Sequence, residues 1–170
     1  MTAAKVLVAY GTKNGSTAGI ARTIADALGE QGLRAEARPA AEVLDPSPYD
    51  AVVLGGALYA GRWHRDAVRF SRRHRRALSG RPVWLFSSGP LDASANKRDI
   101  RPVPGATRAS MRLNAREHIT FGGCLQEGAK GAVARMIVKR GGGGDYRDAG
   151  QIRAWALGIA RELTDVTGGP

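Results

Sequence analysis

Short apolar runs alternate along the chain with segments whose apolar residues recur at helical spacing. Residues 5–10, 51–55 and 82–87 are apolar almost throughout, which is typical of strands that are buried on both faces of a parallel sheet. Residues 34–38 and 118–121 are shorter candidates of the same kind. The pattern therefore predicts a sheet of five strands.

The segments between these strands have the periodicity of amphipathic helices. Ile20, Ile24 and Leu28 lie one turn apart, and Gly32 follows at a position where a helix commonly ends. Strands that alternate with helices form a parallel sheet covered on both faces. The chain is thus predicted to be an α/β protein with a doubly wound five-stranded sheet, and its 170 residues suit a single domain, 1–170. Helices are predicted at 16–31, 63–77, 106–113, 128–140 and 148–163, with a short one at 39–44.

Three loops follow the carboxyl ends of the strands, which is the edge where open α/β sheets bind ligands. The first, 11–17, joins a buried strand to the start of a helix, where free backbone N–H groups and the helix dipole attract an anion. The alternative is that Ser16 only caps the helix. The loop lacks the glycine patterns of Walker and dinucleotide-binding loops. It is a candidate phosphate site formed by Thr12, Lys13, Asn14, Gly15, Ser16 and Thr17.

The loops after the third and fourth strands have weaker signals. The second loop, 55–63, carries Tyr59 and Trp63 among small residues, an arrangement that suits contact with a planar ring. The alternative is that both aromatic side chains simply belong to the core. The third loop, 87–92, offers two hydroxyls and several backbone groups beside a turn.

The three histidines, His64, His74 and His118, are not spaced as metal ligands. His74 lies on the apolar stripe of the helix predicted at 63–77, so a core histidine is the simpler interpretation. His64 follows the second loop directly, and a part in redox chemistry stays open for it.

The charge of the chain is high and unevenly distributed. Lys and Arg together number 26 against 15 Asp and Glu, which gives +11, and residues 62–81 contain eight Arg and one acid, Asp66. Because Arg binds carboxylates and phosphates bidentately, this segment is either a solvated helix face or a surface for anions. No nucleic-acid recognition motif accompanies it, and nucleic acid is not an expected partner.

Other features narrow the class of protein. The single cysteine, Cys124, excludes an internal disulfide framework. The amino terminus has no basic segment followed by an apolar stretch, and no apolar run is long enough to span a bilayer. We expect a cytoplasmic protein whose basic segment suits peripheral contact with the inner face of an anionic membrane.

The segment Thr12-Lys13-Asn14-Gly15-Ser16-Thr17 after the first strand resembles the phosphate loop of flavodoxins. Nearly the whole chain resembles one branch of that superfamily, which includes the quinone-dependent protoporphyrinogen dehydrogenases of bacteria. This resemblance implies a flavodoxin-like fold with FMN as the cofactor. The segments that carry it are 10–17, 55–64, 86–91, 121–123, 144–148 and 152–156.

Carried over position by position, the resemblance implies three sets of contacts with FMN. Residues 12–17 would hold the phosphate, and Ser87 and Ser88 would approach the ribityl chain and the ring. The flavin would carry the chemistry, so no catalytic side chain is expected. The isoalloxazine would be flanked by Leu58, Tyr59, Ala60, Gly61, Arg62 and Trp63 and by Gly89, Pro90, Leu91 and Asp92.

Two functions stay open. The first is an FMN-dependent oxidoreductase with protoporphyrinogen and a quinone as the leading substrates, and the second is a flavodoxin-type electron carrier that docks with redox proteins. A phosphate-receiver domain of this fold would need acidic residues for Mg²⁺ after the first strand, where this chain has Tyr10, Gly11 and Thr12. Electron-carrier flavodoxins are typically acidic, so the basic charge favours the oxidoreductase.

Overall fold

The structure, a computed structural model, describes residues 3–13, 15–89, 101–122, 124–125, 144–145 and 147–167. Within these ranges the predicted alternation of strands and helices is present. Four residues of the predicted site lie outside the described residues, as does the helix predicted at 128–140. The four are Asn14, Pro90, Leu91 and Asp92.

Five long strands form a parallel sheet in the order β2-β1-β3-β5-β6, which confirms the predicted doubly wound α/β fold. A short strand, β4, pairs with β3 in the antiparallel sense, and β7 and β8 form a separate two-stranded sheet. The strands are β1 (Lys5–Gly11), β2 (Arg34–Pro39), β3 (Ala51–Tyr59), β4 (Arg62–Trp63), β5 (Val83–Ser88), β6 (Glu117–Phe121), β7 (Cys124–Leu125) and β8 (Gly144–Asp145).

Helices cover the sheet on both faces because alternate strand residues point to opposite sides. In β1, Val6 and Val8 belong to an apolar cluster with α1 and α4, whereas Leu7 and Ala9 belong to a second cluster with α2 and α3. All four side chains are fully buried. The helices are α1 (Ser16–Glu30), α2 (Arg65–Arg73), α3 (Pro104–Leu113) and α4 (Ala149–Thr167), with a 3₁₀ turn at Ala40–Glu42.

The strand order reverses between β1 and β3, which are neighbours in the sheet. The helix after β1 packs on one face and the helix after β3 on the other, so a crevice opens between the two strand ends. In the register of this pair, Tyr10 lies beside Gly55 and Gly11 beside Gly56. The first and second predicted loops therefore leave the sheet side by side.

The prediction that 55–63 is a loop is wrong, because β3 continues to Tyr59 and turns back into β4. Leu58 pairs with Trp63 and Tyr59 with Arg62, and the turn residues Ala60 and Gly61 have φ of 48° and 74°. Positive φ at both central residues is what a type I′ hairpin turn requires. The pattern hid this hairpin because alanine rarely adopts a positive φ.

The helix predicted at 63–77 is shorter than expected and spans Arg65–Arg73. It begins where the His64 side chain caps it by accepting a hydrogen bond from the Asp66 N–H. Its end coincides with a run of arginines, where like charges one turn apart destabilise a helix. His74 follows as a core residue, as predicted, with Nε2 3.2 Å from the Val43 carbonyl oxygen.

Replacing Ala60 with Asn should stabilise the hairpin, because Asn adopts a positive φ more readily than Ala. We expect the free energy of unfolding of the cofactor-free protein to rise by about 0.5–1 kcal/mol, measured by urea denaturation. Ala60→Val should lower it, since a β-branched side chain is strained at a φ of 48°. Equal stability of the two variants would contradict the turn.

Candidate cofactor-binding site

The first loop presents the start of α1 without a side-chain cap among the described residues. Gly15 is the capping residue, with φ of 87°, and the first turn of α1 contains no acid. The alternative that Ser16 serves as the cap is therefore wrong, since Ser16 is already the first helical residue. Thr12 shapes the loop instead, because its Oγ1 accepts a hydrogen bond of 3.0 Å from the Gly15 N–H. This is the arrangement that attracts an anion to a helix N-terminus.

Thr17 supplies the clearest sign that the loop is built for a ligand. Its side chain is 0% exposed, and its Oγ1 has no hydrogen-bond partner among the described atoms. A buried hydroxyl without a partner costs about 1–3 kcal/mol. A phosphate oxygen at the start of α1 would accept its proton, so the residues present fit the phosphate of FMN.

The third loop meets the other two at the same edge of the sheet. Ser88, the last residue of β5, has its Oγ 3.4 Å from Oγ of Ser16. Gly89 donates its N–H to the Phe121 carbonyl at 2.9 Å, and a Cβ at Gly89 would lie 3.2 Å from Cβ of Leu58. Residues from all three predicted loops are thus brought together, while their contacts with FMN stay a prediction.

A cleft of about 620 Å³ opens between the first loop and the β3–β4 hairpin. This volume is in the range of small-molecule sites. Lys13 lies over Tyr59 at the mouth of the cleft, with Nζ 5.4 Å from the ring centroid. The cleft is lined by Thr12, Lys13, Tyr59, Arg62, Trp63, His64, Arg65 and Asp66.

Trp63 combines the two roles that the sequence left open. It is 4% exposed and belongs to the apolar cluster of α2 and α3, yet it also lines the cleft. Its indole lies against Gly56, where a Cβ would come within 2.5 Å of Nε1. Trp63 is therefore a core residue that forms a wall of the cleft.

His64 places a polar atom in the wall of the cleft. Its Nδ1 lies 3.1 Å from the Asp66 N–H and accepts that proton, so the neutral ring carries its own proton at Nε2. Burial, and to a smaller extent Arg65 and Lys13, lower the pKa of His64 against the opposing effect of Asp66. The ring is thus a neutral donor at pH 7.

His118 contacts a residue of the predicted site, and the sequence reasoning missed this contact. Its Nε2 lies 2.8 Å from Oγ of Ser87, and burial lowers its pKa to about 4. The two residues are on adjacent strands, where His118 is beside Leu85 and Ser87 beside Thr120. Only the pairing of the two strands brings them together, so the contact could not be predicted from the spacing of the residues in the sequence.

The predicted basic segment divides into two groups in the structure. Arg62 and Arg65 line the cleft, whereas the C-terminal half of α2 leads away from it. Because α2 has nine residues, it is about 13 Å long. Arg72 at its far end and Arg75 just beyond it lie near Arg108 and Arg112 of α3, and we call these four residues the α2–α3 arginine cluster. Burial, and then the charges of the other three arginines, lower the pKa of Arg112.

Comparison with known proteins agrees with this geometry. A family model described as flavodoxin domain matches residues 7–140. The protoporphyrinogen IX dehydrogenase (quinone) of Escherichia coli K12 is 28% identical over 177 residues, which cover 98% of each chain. Flavodoxin 2 of Bacillus cereus is 20% identical, with a TM-score of 0.63 over 94% of this chain and 99% of that one. The rubredoxin oxygen:oxidoreductase of Desulfovibrio gigas is 12% identical, with a TM-score of 0.64 over 97% of this chain and 37% of that one.

The fold and its ligand-binding edge define an α/β domain of the flavodoxin type. The chain belongs to the flavodoxin family, and FMN is confirmed as the cofactor that this family fold implies. Over nearly its whole length the chain is also similar to a dehydrogenase, so an oxidoreductase is among its relatives. None of the described helices combines the length and apolar character needed to cross a membrane.

Replacing Thr17 with Asp should abolish FMN binding, because a carboxylate would then oppose the phosphate. Thr17→Val, which keeps the shape but removes the hydroxyl, should weaken binding roughly 10-fold or more without lowering the stability of the apoprotein. The FMN affinity of both variants is measured by fluorescence titration with FMN. Thr23→Val in the same helix is the control, since Thr23 Oγ1 bonds the Gly19 carbonyl. If Thr17→Asp binds FMN as tightly as the parent, the phosphate site is misplaced.

The partly buried His118 should make the protein less stable in acid. Its folded pKa of about 4 is below the unfolded value of about 6.5, so the unfolded chain binds more protons in between. Its contribution is complete above pH 6.5 and is lost as the pH falls towards 4, by up to about 3 kcal/mol. His118→Asn should flatten this dependence in urea denaturation at pH 7 and 4.5. If the parent and the variant lose the same free energy of unfolding between these two pH values, His118 is not the cause of the acid sensitivity.

Proposed function

We propose that the protein is an FMN-dependent oxidoreductase that oxidises protoporphyrinogen or a similar substrate and reduces a quinone. Each turn would move two electrons and two protons from the substrate to one quinone, which leaves as the quinol. The observation that carries the proposal is the cationic cleft beside the phosphate loop. The full-length similarity to the E. coli dehydrogenase supports the choice of substrates.

The cleft has the charge that a carboxylated substrate requires. Among the described lining residues, Lys13, Arg62 and Arg65 stand against a single acid, Asp66. Arg62 stands at the exposed end of the hairpin, where it pairs with Tyr59. The propionates of a porphyrinogen are carboxylates, which guanidinium groups bind with two parallel hydrogen bonds. The mouth of the cleft therefore suits an anionic substrate with an apolar body.

The residues of the three loops would hold FMN, which supplies the two-electron chemistry when it is bound. Thr12 to Thr17 would bind its phosphate, with the buried Thr17 hydroxyl as donor. Ser87 is oriented by His118 at 2.8 Å and would approach the ribityl chain together with Ser88. Leu58 to Trp63 and Gly89 to Asp92 would flank the ring, and the buried Trp63 would exclude water from one wall.

A second candidate is a flavodoxin-type electron carrier that has no small-molecule substrate and meets only redox proteins. The likeness to Flavodoxin 2, which extends over 94% of this chain and 99% of that one, favours it. The two candidates differ in the use of the cleft: a carrier needs only an exposed edge of the cofactor, while an oxidoreductase needs a site for a substrate. Turnover of a porphyrinogen separates them.

The α2–α3 arginine cluster suits peripheral contact with an anionic membrane. Arg72, Arg75 and Arg108 are exposed, and within the described ranges no ion pair involves any of the cluster's four side chains. Arg112 is held by a hydrogen bond of 2.7 Å to Ser71. Anionic headgroups attract such charges, and a quinone dissolves in the same bilayer.

Turnover of protoporphyrinogen with a menaquinone analogue should be measurable and should fall as salt rises, because exposed charges are screened beyond about 8–10 Å at moderate ionic strength. Replacing both Arg65 and Arg69 with Glu should raise KM for the porphyrinogen more than it weakens FMN binding. The measurements are initial rates and FMN titrations in detergent solution.

The matched control replaces Arg73 and Arg76 with Glu, the same change of charge at exposed positions beyond the cleft. It should leave the KM nearly unchanged. Absence of porphyrinogen oxidation, while the reduced protein still passes electrons to quinones or partner proteins, would refute the substrate and favour the electron carrier.

A further inference from the structure

A guanidinium from the start of α4 lies over the start of α1. A Cβ at Gly19 would come within 2.5 Å of Nη1 of Arg147, so the Arg147 side chain occupies the place of the side chain that Gly19 lacks. Helical side chains lean towards the N-terminus and cover the preceding turn. The guanidinium therefore lies against the first turn of α1 at Gly19, one helical turn after Gly15 of the predicted phosphate loop.

The fold holds Arg147 in this place. Both α1 and α4 pack on the same face of the sheet, and each begins at the edge where the cleft opens. Asp148 caps α4, since its Oδ1 accepts a hydrogen bond of 3.1 Å from the Gln151 N–H and its carbonyl accepts one from Ile152. The backbone next to Arg147 is thus fixed, and the side chain itself is partly buried.

The charge at this position is the reverse of what a helix start favours. The N-terminus of a helix carries a partial positive charge, which anions stabilise and cations oppose. The first turn of α1 contains no acid, yet Arg147 lies against it at Gly19 and Lys13 precedes it. Thr17 adds an independent sign of a ligand, because its fully buried Oγ1 has no hydrogen-bond partner in the described part of the chain.

We propose that Arg147 binds the phosphate of FMN and makes the site selective for the phosphorylated flavin over riboflavin. The proposal rests on the phosphate loop of the proposed function and adds a cation from the other end of the chain. A phosphate monoester carries close to two negative charges at neutral pH, which a guanidinium matches with two hydrogen bonds. Gly19 is required because any side chain there would displace the guanidinium.

The test compares FMN with riboflavin, which has the same ring and no phosphate. The parent protein and Arg147→Met, both stripped of cofactor, are titrated with each flavin while the flavin fluorescence is followed. We expect Arg147→Met to lose roughly 10- to 100-fold in FMN affinity and to bind riboflavin as the parent does. The FMN affinity of the parent should also fall with salt more steeply than that of the variant.

Arg153→Met is the matched control, because it removes the same charge from the same helix. Arg153 forms an ion pair with Glu30 at the far end of α1, away from the phosphate loop. This variant should bind both flavins as the parent does.

A second pair of variants tests the space at Gly19 without touching a charge. Gly19→Ala and Gly29→Ala bring the same gain in helix propensity to α1, but a Cβ at Gly29 has no atom within 4 Å. Gly19→Ala should therefore weaken FMN binding by displacing Arg147, and Gly29→Ala should not. In the Arg147→Met background the effect of Gly19→Ala should disappear.

The outcomes distinguish failure of the role of Arg147 from failure of the proposed function. Unchanged FMN affinity in Arg147→Met, or an equal loss of FMN and riboflavin, would overturn the role of Arg147 and leave the proposed function standing. Failure of the parent to bind FMN would overturn the proposed function together with this inference.

Discussion

The close contact of the ends of β1 and β3 is the constraint on which the site depends. Three glycines lie there, and side chains occupy the space above each: the His64 imidazole at Gly11, the Phe86 ring at Gly55 and the Trp63 indole at Gly56. A Cβ at Gly11 would come within 2.8 Å of the imidazole Nδ1. The rings reach these places only because the strands carry no side chains there. The same glycines thus let the hairpin and α2 fold back over the strand ends and form a wall of the cleft.

This geometry places the arginines of the basic segment in two different positions. Arg62 lies at the cleft because it belongs to the hairpin, and Arg65 lies there because it is the first residue of α2. The α2–α3 arginine cluster lies away from the cleft because of the length of α2. Since exposed charges are screened beyond about 8–10 Å at moderate ionic strength, the two groups act independently. One basic segment in the sequence is therefore two separate surfaces in the structure.

Much of the fold could be predicted because its signals are local. The apolar runs of β1, β3 and β5 and the periodicity of α1 depend on neighbouring residues alone, and the loop from Thr12 to Thr17 follows directly from a strand and precedes a helix. The hairpin was missed because Ala60 gives no sign of its positive φ. The contact of Ser87 with His118, like that of Arg147 with α1, depends on which strands and helices become neighbours, and this cannot be read from spacing.

The electrostatics of the cleft bear on the choice between the proposed oxidoreductase and the electron carrier. A cation about 10 Å from a negative charge stabilises it by roughly 0.4–1.7 kcal/mol at effective dielectric constants between about 80 and 20. Applied to a one-electron couple, this raises the potential by roughly 20–70 mV. Lys13, Arg62 and Arg65 line the cleft while His64 is held neutral by burial, so Asp66 is the one opposing charge among the described lining residues. An acidic protein of the same fold would shift the potential the other way, towards a strongly reducing carrier. The charge around this cleft therefore supports the proposed oxidation of an organic substrate over delivery of one electron at low potential.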